Sequence, residues 1–299
     1  MTTRRSGSAV LSTVLVLAAL AGAATAQETV DVRRPIAADA SIKVWNGGGS
    51  VRVEGWAVDS LAVTGEVSER GGGRFFIRAE GDVAKLGVEG DQAEVGGRLV
   101  VRVPAGATVW IRTGSADITV RELTGAVDIH TAAGDVDVRG QPATFYAESM
   151  GGDLTLHIKA GIARARTGTG GITFTGTVED LALTTVSGAL EVTAPELRRG
   201  RFTTVDGEIR FTGAVRRAGL LVFETHSGDV TLRLPAGLAA DFRLSTLEGA
   251  IEVGYAGAPA GETGGETGPG RRAVAFETGD GGAEVEVRSY SGSITVRPR

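Results

Sequence analysis

Three carboxylates recur at a fixed interval. Asp117, Asp135 and Asp153 are 18 residues apart, each directly after a turn position held by Ala116, Gly134 or Gly152. If the chain stacks copies of one unit, these side chains come one strand spacing apart. Three clustered carboxylates offer the hard oxygen donors that calcium takes. They are therefore the metal candidates, with Ca2+ the ion they would suit. The column breaks at Gly171 and Ala189 and resumes as Glu208 and Asp229, and the Gly-Gly-x-Gly-x-Asp calcium repeat is missing. Asp after a turn glycine is also ordinary turn chemistry, which explains the column without a metal.

A second column carries hydroxyls: Thr113, Thr131, Ser149, Thr167, Thr185, Thr204, Thr225, Thr246 and Ser289. A row of nucleophiles would need an adjacent base and access to solvent. The alternation of apolar residues around each hydroxyl instead points it inward, where it must bond the turn backbone or the hydroxyl of a neighbouring copy. His130, His157 and His226 are the only histidines, and none falls in a metal-ligand spacing. The neighbours His226 and Ser227 suggest a nucleophile with its base, but successive residues of a strand face opposite sides. No phosphate loop, dinucleotide fingerprint or nucleophile elbow occurs. No catalytic residue and no cofactor site is assigned.

The element that positions these columns is a repeat, h-x-h-x-[S/T]-x-x-G-x-h-x-h, where h is apolar. One copy holds Val127, Ile129, Thr131, Gly134, Val136 and Val138, and the next holds Phe145, Ala147, Ser149, Gly152, Leu154 and Leu156. The glycines at 134, 152, 170 and 188 are 18 residues apart, and the spacing relaxes to 19, 21 and 21 for Gly207, Gly228 and Gly249. Alternation at a period of two is the mark of a strand with one buried face. Each unit reads as strand, turn, strand, turn, and cannot bury its apolar face alone. Hairpins tolerate loops of any length, whereas stacking equivalent positions demands near-equal coils. The constant period predicts an all-β fold, a β-solenoid of stacked 18–21-residue two-strand coils. About ten coils would give a rod roughly 45–50 Å long.

Residues 27–95 are less regular. Ile42, Val44, Asn46, Gly49, Val51 and Val53 match the unit once, with Asn in the hydroxyl slot. This irregular N-terminal β segment is expected to start the rod and cap its end, since bare sheet edges invite aggregation. The expected organisation is a signal peptide at 1–26, the capping region at 27–95 and the repeats at 96–299. Gly249 to Gly292 spans about two coils and contains a Gly-rich loop at 254–270, low in apolar side chains.

The chain has 299 residues, 42% of them apolar, with 46 glycines, no cysteine and a formal net charge of −5. Disulfides and thiolate metal sites are thereby excluded. Arg4 and Arg5, the apolar run Ala9–Ala21 and the small-x-small site Ala24-Thr25-Ala26 read as a cleavable export signal. The run is shorter than the ~20 residues of a spanning helix, so no stable membrane span is expected once it is cleaved. An acidic surface with both signs interspersed argues against a nucleic-acid partner. Some solenoids cleave polysaccharides with acidic and basic residues on an exposed face. Here Asp137, Arg139, Glu191, Arg210 and Arg233 point outward without an evident cluster, and Trp45, Trp56, Trp110 and Tyr146 form no stripe along the repeats.

The segments Thr225-His226-Ser227-Gly228-Asp229-Val230-Thr231-Leu232 and Ser289-Tyr290-Ser291-Gly292-Ser293-Ile294-Thr295-Val296 carry a resemblance to a known family. It is the bacterial β-strand-repeat domain of unknown function labelled a candidate adhesin. The likeness extends over about residues 40–299 and includes the lead-in Val101–Gly106. It implies an exported, repetitive β fold and supplies no catalytic residues. The expected function is therefore a non-enzymatic, adhesin-like recognition or structural protein, periplasmic, at the cell surface or extracellular. Its partner would be an unknown envelope, glycan or protein surface. A β-helix polysaccharide lyase or hydrolase is the alternative.

Overall fold

The computed structural model describes residues 27–68, 70–91, 95–256 and 272–299. The segment 1–26, read from sequence as an export signal, and most of the expected Gly-rich loop, from residue 257 on, lie outside the described residues. The fold is all-β, and its strands form one continuous sheet.

Within the repeats, every copy contributes to two parallel ladders. In the first, strand Val127–Thr131 lies between Thr108–Thr113 and Thr144–Gly151, with Thr131 opposite Thr113 on one side and Ser149 on the other. In the second, Val136–Gly140 lies between Asp117–Arg121 and Leu154–Thr169. From Leu154 to Ser227 the chain passes from the second ladder of one copy into the first ladder of the next without a break. The long strands Leu154–Thr169, Ile172–Ser187, Leu190–Asp206 and Ile209–Ser227 pair in parallel this way.

Copies do not stack in sequence order throughout. Ser41–Asn46 sits between Val83–Glu89 and Thr108–Thr113, and Gly49–Trp56 between Gly97–Pro104 and Asp117–Arg121. The first copy in sequence is thus second in space. At the other end Ala283–Ser289 is inserted between Ile209–Ser227 and Ala240–Thr246, and Ile294–Pro298 between Val230–Leu234 and Ile251–Val253. The interval from Gly249 to Gly292 is therefore an outward coil and a return rather than two successive coils. Parallel pairing needs only matched apolar faces and equal coil lengths, and these copies offer both wherever they are inserted.

Antiparallel strands border both ends. Arg74–Glu80 pairs with Val83–Glu89, Ser60–Ser68 with Gly97–Pro104, Gln27–Pro35 with Ser60–Ser68, and Arg272–Thr278 with Ala240–Thr246. The interior between the ladders is filled by apolar residues, among them Phe145, Phe174, Phe202, Phe211, Phe223 and Phe242, all buried. Phe202 and Phe223 stack at 4.9 Å, with Phe211 edge-on to Phe223 at 5.4 Å. Full burial of each such ring contributes about 1.5–3 kcal/mol.

Candidate functional site: an outward face with an aromatic row

The hydroxyl column is interior. Thr113, Thr131, Ser149, Thr167, Thr185, Thr204, Thr225 and Thr246 are buried, and Ser289 is half-buried. Thr113 donates to Thr131 at 2.8 Å, Ser149 to the Gly151 carbonyl, and Thr185 to the Gly170 carbonyl at 3.0 Å. Asn46 stands at the head of this column. Its amide donates to the Gly48 and Gly97 carbonyls at 2.8 and 2.9 Å, and its oxygen accepts from Gly97 N–H at 3.0 Å. The longer amide reaches the outer coil, which a hydroxyl would not.

The carboxylate column also serves the stack. Asp117 Oδ1 accepts the backbone N–H of Asp135 at 3.0 Å, Asp135 that of Asp153 at 2.9 Å, and Asp153 that of Gly171 at 2.8 Å. Asp229 does the same at 2.8 Å for Ser293, which lies in the inserted copy. Among the described residues no group of three or more His, Cys, Asp or Glu is arranged to hold a metal.

The histidines separate. His157 is exposed on the second ladder, opposite Arg139 and Thr175. His226 stacks on Tyr290 at 4.7 Å beside an open cleft that also holds Glu224 and Arg288. That glutamate is taken up by arginines, 3.0 Å from Arg201 and 3.7 Å from Arg288. The dispersed charges of the second ladder pair locally, as in Arg121–Asp137 at 2.7 Å and Arg210–Glu191 at 3.1 Å.

His130 belongs to a different constellation, on the outward side of the first ladder. Ring centroids run Phe76–Trp45 at 6.3 Å, Trp45–Trp110 at 5.5 Å, Trp110–His130 at 6.0 Å and His130–Tyr146 at 5.6 Å. All five rings are half-buried. Their planes are tilted by 36–68° from neighbour to neighbour, so the row is corrugated rather than flat. The sequence expectation of no stripe is thus corrected: Trp45, Trp110 and Tyr146 are joined through His130, and only Trp56 stands apart. Two local features make the row. Placing Ser41–Asn46 directly beside Thr108–Thr113 brings Trp45 next to Trp110, and Gly87, opposite both Trp45 and Phe76, leaves room for those rings to meet.

Charged groups edge the row. The Arg112 guanidinium lies 5.0 Å from the Trp110 ring and Arg78 6.0 Å from Phe76, within cation–π range. His130 Nε2 is 2.8 Å from Asp128, and Nδ1 is 3.7 Å from Glu148. Tyr146 donates to Glu148 at 3.1 Å; partial burial first, and this hydrogen bond second, push its phenol pKa above the usual 10.0. Beyond Tyr146 the same outward register continues as Arg164, Ala182, Arg201 and Val222. The small Ala182 leaves a depression of about 330 Å³ there, lined also by Arg164, Asp180, Arg199, Gly200 and Arg201.

A family model described as Toastrack, a domain of unknown function, matches residues 99–297. No curated protein matches the chain. Among solved structures, a candidate lipid-binding protein from Parabacteroides distasonis ATCC 8503 is 12% identical with a TM-score of 0.51, over 90% of this chain and 96% of that one. A candidate adhesin from Parabacteroides merdae ATCC 43184 gives 10% and 0.47, over 90% and 96%. Another from Bacteroides fragilis NCTC 9343 gives 8% and 0.44, over 91% and 98%.

Proposed function

The chain belongs to the Toastrack family of domains of unknown function, and from that premise we propose that it is an exported, non-enzymatic recognition protein. In this reading the two parallel ladders are the faces of a β-solenoid, a rod that presents outward side chains at intervals of one coil. The observation that carries it is the aromatic row from Phe76 to Tyr146 on one of those faces. Half-buried aromatics in a contiguous line supply contact area at low conformational cost, as recognition surfaces do. Of the other exposed apolar side chains, Met150, Val186, Val205 and Tyr290 share the turn slot just after the hydroxyls, while Val58, Val83 and Ile162 lie elsewhere.

An export signal fits this role, placing the rod in the periplasm, at the cell surface or outside the cell, with an envelope, glycan or protein surface as partner. Polysaccharide cleavage has less behind it, because Asp137, Glu191 and Glu224 are taken by arginines and Asp128 and Glu148 by His130 and Tyr146, rather than standing as a facing pair for acid–base work. The Asp117–Asp135–Asp153 column is read as a backbone cap, with calcium its secondary use. The test is retention of the purified protein on whole cells, envelope fractions and a glycan panel. A variant with Trp45→Ala, Trp110→Ala and Tyr146→Ala should lose the retention of the native chain. No retention of the native protein on any of these would leave a purely structural rod.

A further inference from the structure

The structure assigns an acidic polysaccharide to the first outward face: a chain of pyranoses bearing carboxylate or sulfate groups, lying along the stacking axis. This assignment rests on the recognition reading above and adds the ligand's chemistry and direction. The face has two halves in one line. Phe76, Trp45, Trp110, His130 and Tyr146 occupy the N-terminal half, and Arg164, Arg166, Arg199 and Arg201 the half that follows, with Arg112 beside the rings. From Arg74–Glu80 to Leu190–Asp206 the line crosses nine strands. At one strand spacing per step this is about 40 Å, long enough for an extended polymer rather than a single sugar.

The fold uses only some of the cations of this face. Arg166 reaches Glu148 only at 3.8 Å, Asp180 is taken by Arg198 at 2.7 Å, and Glu224 pairs with Arg201 at 3.0 Å. Among the described residues no carboxylate lies within 4.0 Å of Arg112, Arg164 or Arg199. On a chain whose net charge is −5, a line with unpaired guanidiniums is complementary to an anion. Guanidinium forks bind carboxylate and sulfate oxygens in pairs.

The rings select the rest of the ligand. A pyranose offers a C–H face to an aromatic ring and keeps its hydroxyls at the rim, where Asp128, Glu148 and the Tyr146 phenol accept or donate. A lipid tail needs a dry cavity, and the interior here is packed with buried Phe145, Phe174, Phe202, Phe211 and Phe223. An acidic peptide would satisfy the arginines but leave a row of five tilted rings without matching periodic faces.

The test measures binding of the purified protein to polygalacturonate, heparin, neutral dextran and anionic phospholipid vesicles, for the native chain and two variants. Both variants alter exposed or half-exposed side chains, and circular dichroism checks that they fold. The native protein should bind polygalacturonate or heparin, the stronger of the two naming carboxylate or sulfate as the preferred group, and should ignore dextran and vesicles. Arg164→Glu with Arg199→Glu should weaken binding by about 100-fold or more and remove its salt dependence, and Trp110→Ala should weaken it about ten-fold. Equal binding of dextran, or charge reversal without effect, overturns the acidic ligand while leaving the recognition face standing. Binding to vesicles alone, or to none of the four probes while cells still retain the protein, overturns the polysaccharide. Loss of both cell retention and probe binding overturns the recognition reading itself.

Discussion

Replacing Gly170 by alanine tests the stacked turns. Gly170 has φ +140°, and a Cβ built there would lie 2.2 Å from the Gly152 carbonyl oxygen of the preceding copy and 2.8 Å from its carbon. The obstructing atoms are backbone, so relief requires two coils to part and loosen the ladder hydrogen bonds that join them. Left-handed strain at a non-glycine residue costs about 1–3 kcal/mol, and overpacking a close contact adds about as much again. The expected loss is therefore about 2–5 kcal/mol. Gly237→Ala is the internal control: nothing lies within 4 Å of its added methyl. That substitution should be neutral, or stabilising by about 0.4–1 kcal/mol through the unfolded chain. The assay is urea unfolding followed by far-UV circular dichroism and by tryptophan fluorescence. All three tryptophans, at 45, 56 and 110, precede Gly170, so fluorescence reports the N-terminal coils while dichroism reports the whole. In a nearest-neighbour stack, breaking one interface should separate the two signals as well as lower the midpoint. A Gly170→Ala protein that unfolds at the native midpoint, with the two signals coincident, would refute the close register of the turns.

Three further outcomes follow from the same geometry. Phe223→Ala removes a ring packed between Phe202 and Phe211 and should cost about 3–5 kcal/mol by chemical denaturation. Asp135→Ala removes the acceptor of the Asp153 N–H and should cost about 1 kcal/mol in thermal melts, equally with calcium or with chelator; a melting temperature that rises with calcium only in the native protein would show the column holding an ion instead. Tyr255, buried with its hydroxyl donating to the Pro235 carbonyl at 2.8 Å, has its pKa pushed from 10.0 to about 12 by burial. The folded state thus favours the neutral phenol. Its contribution is complete below pH 10, where both states are protonated, and is lost as pH rises from 10 through 12. Tyr255→Phe should flatten that alkaline decline, which pH-dependent melts will measure.

Much of this architecture was legible because it is local. Alternation around Val127, Ile129, Val136 and Val138 determines which side chains face inward, and the hydroxyl three residues before each glycine marks the turn. The buried Thr column and the parallel pairing of neighbouring copies follow from those two patterns. The order of copies at the ends was not legible, since pairing in parallel is non-local and any copy of matched length can lie beside any other. One residue did hint at it: Asn46 replaces a hydroxyl where an extra coil, reached through Gly97, lies outside. The aromatic row was missed for the same reason. Trp45 and Trp110 are 65 positions apart in sequence, and only the inward placement of Ser41–Asn46 makes them neighbours. The Asp column was legible as a column, but its use as a cap for the next N–H depends on backbone geometry that spacing alone does not give.

The most direct test of the recognition face uses its own fluorophores. In a Trp56→Phe protein the remaining tryptophans, Trp45 and Trp110, both belong to the row. Titrating that protein with polygalacturonate or heparin, alongside co-sedimentation to establish binding, should shift and change the intensity of its emission in step with the bound fraction. Binding by sedimentation with an unchanged emission spectrum would place the ligand elsewhere and contradict the account.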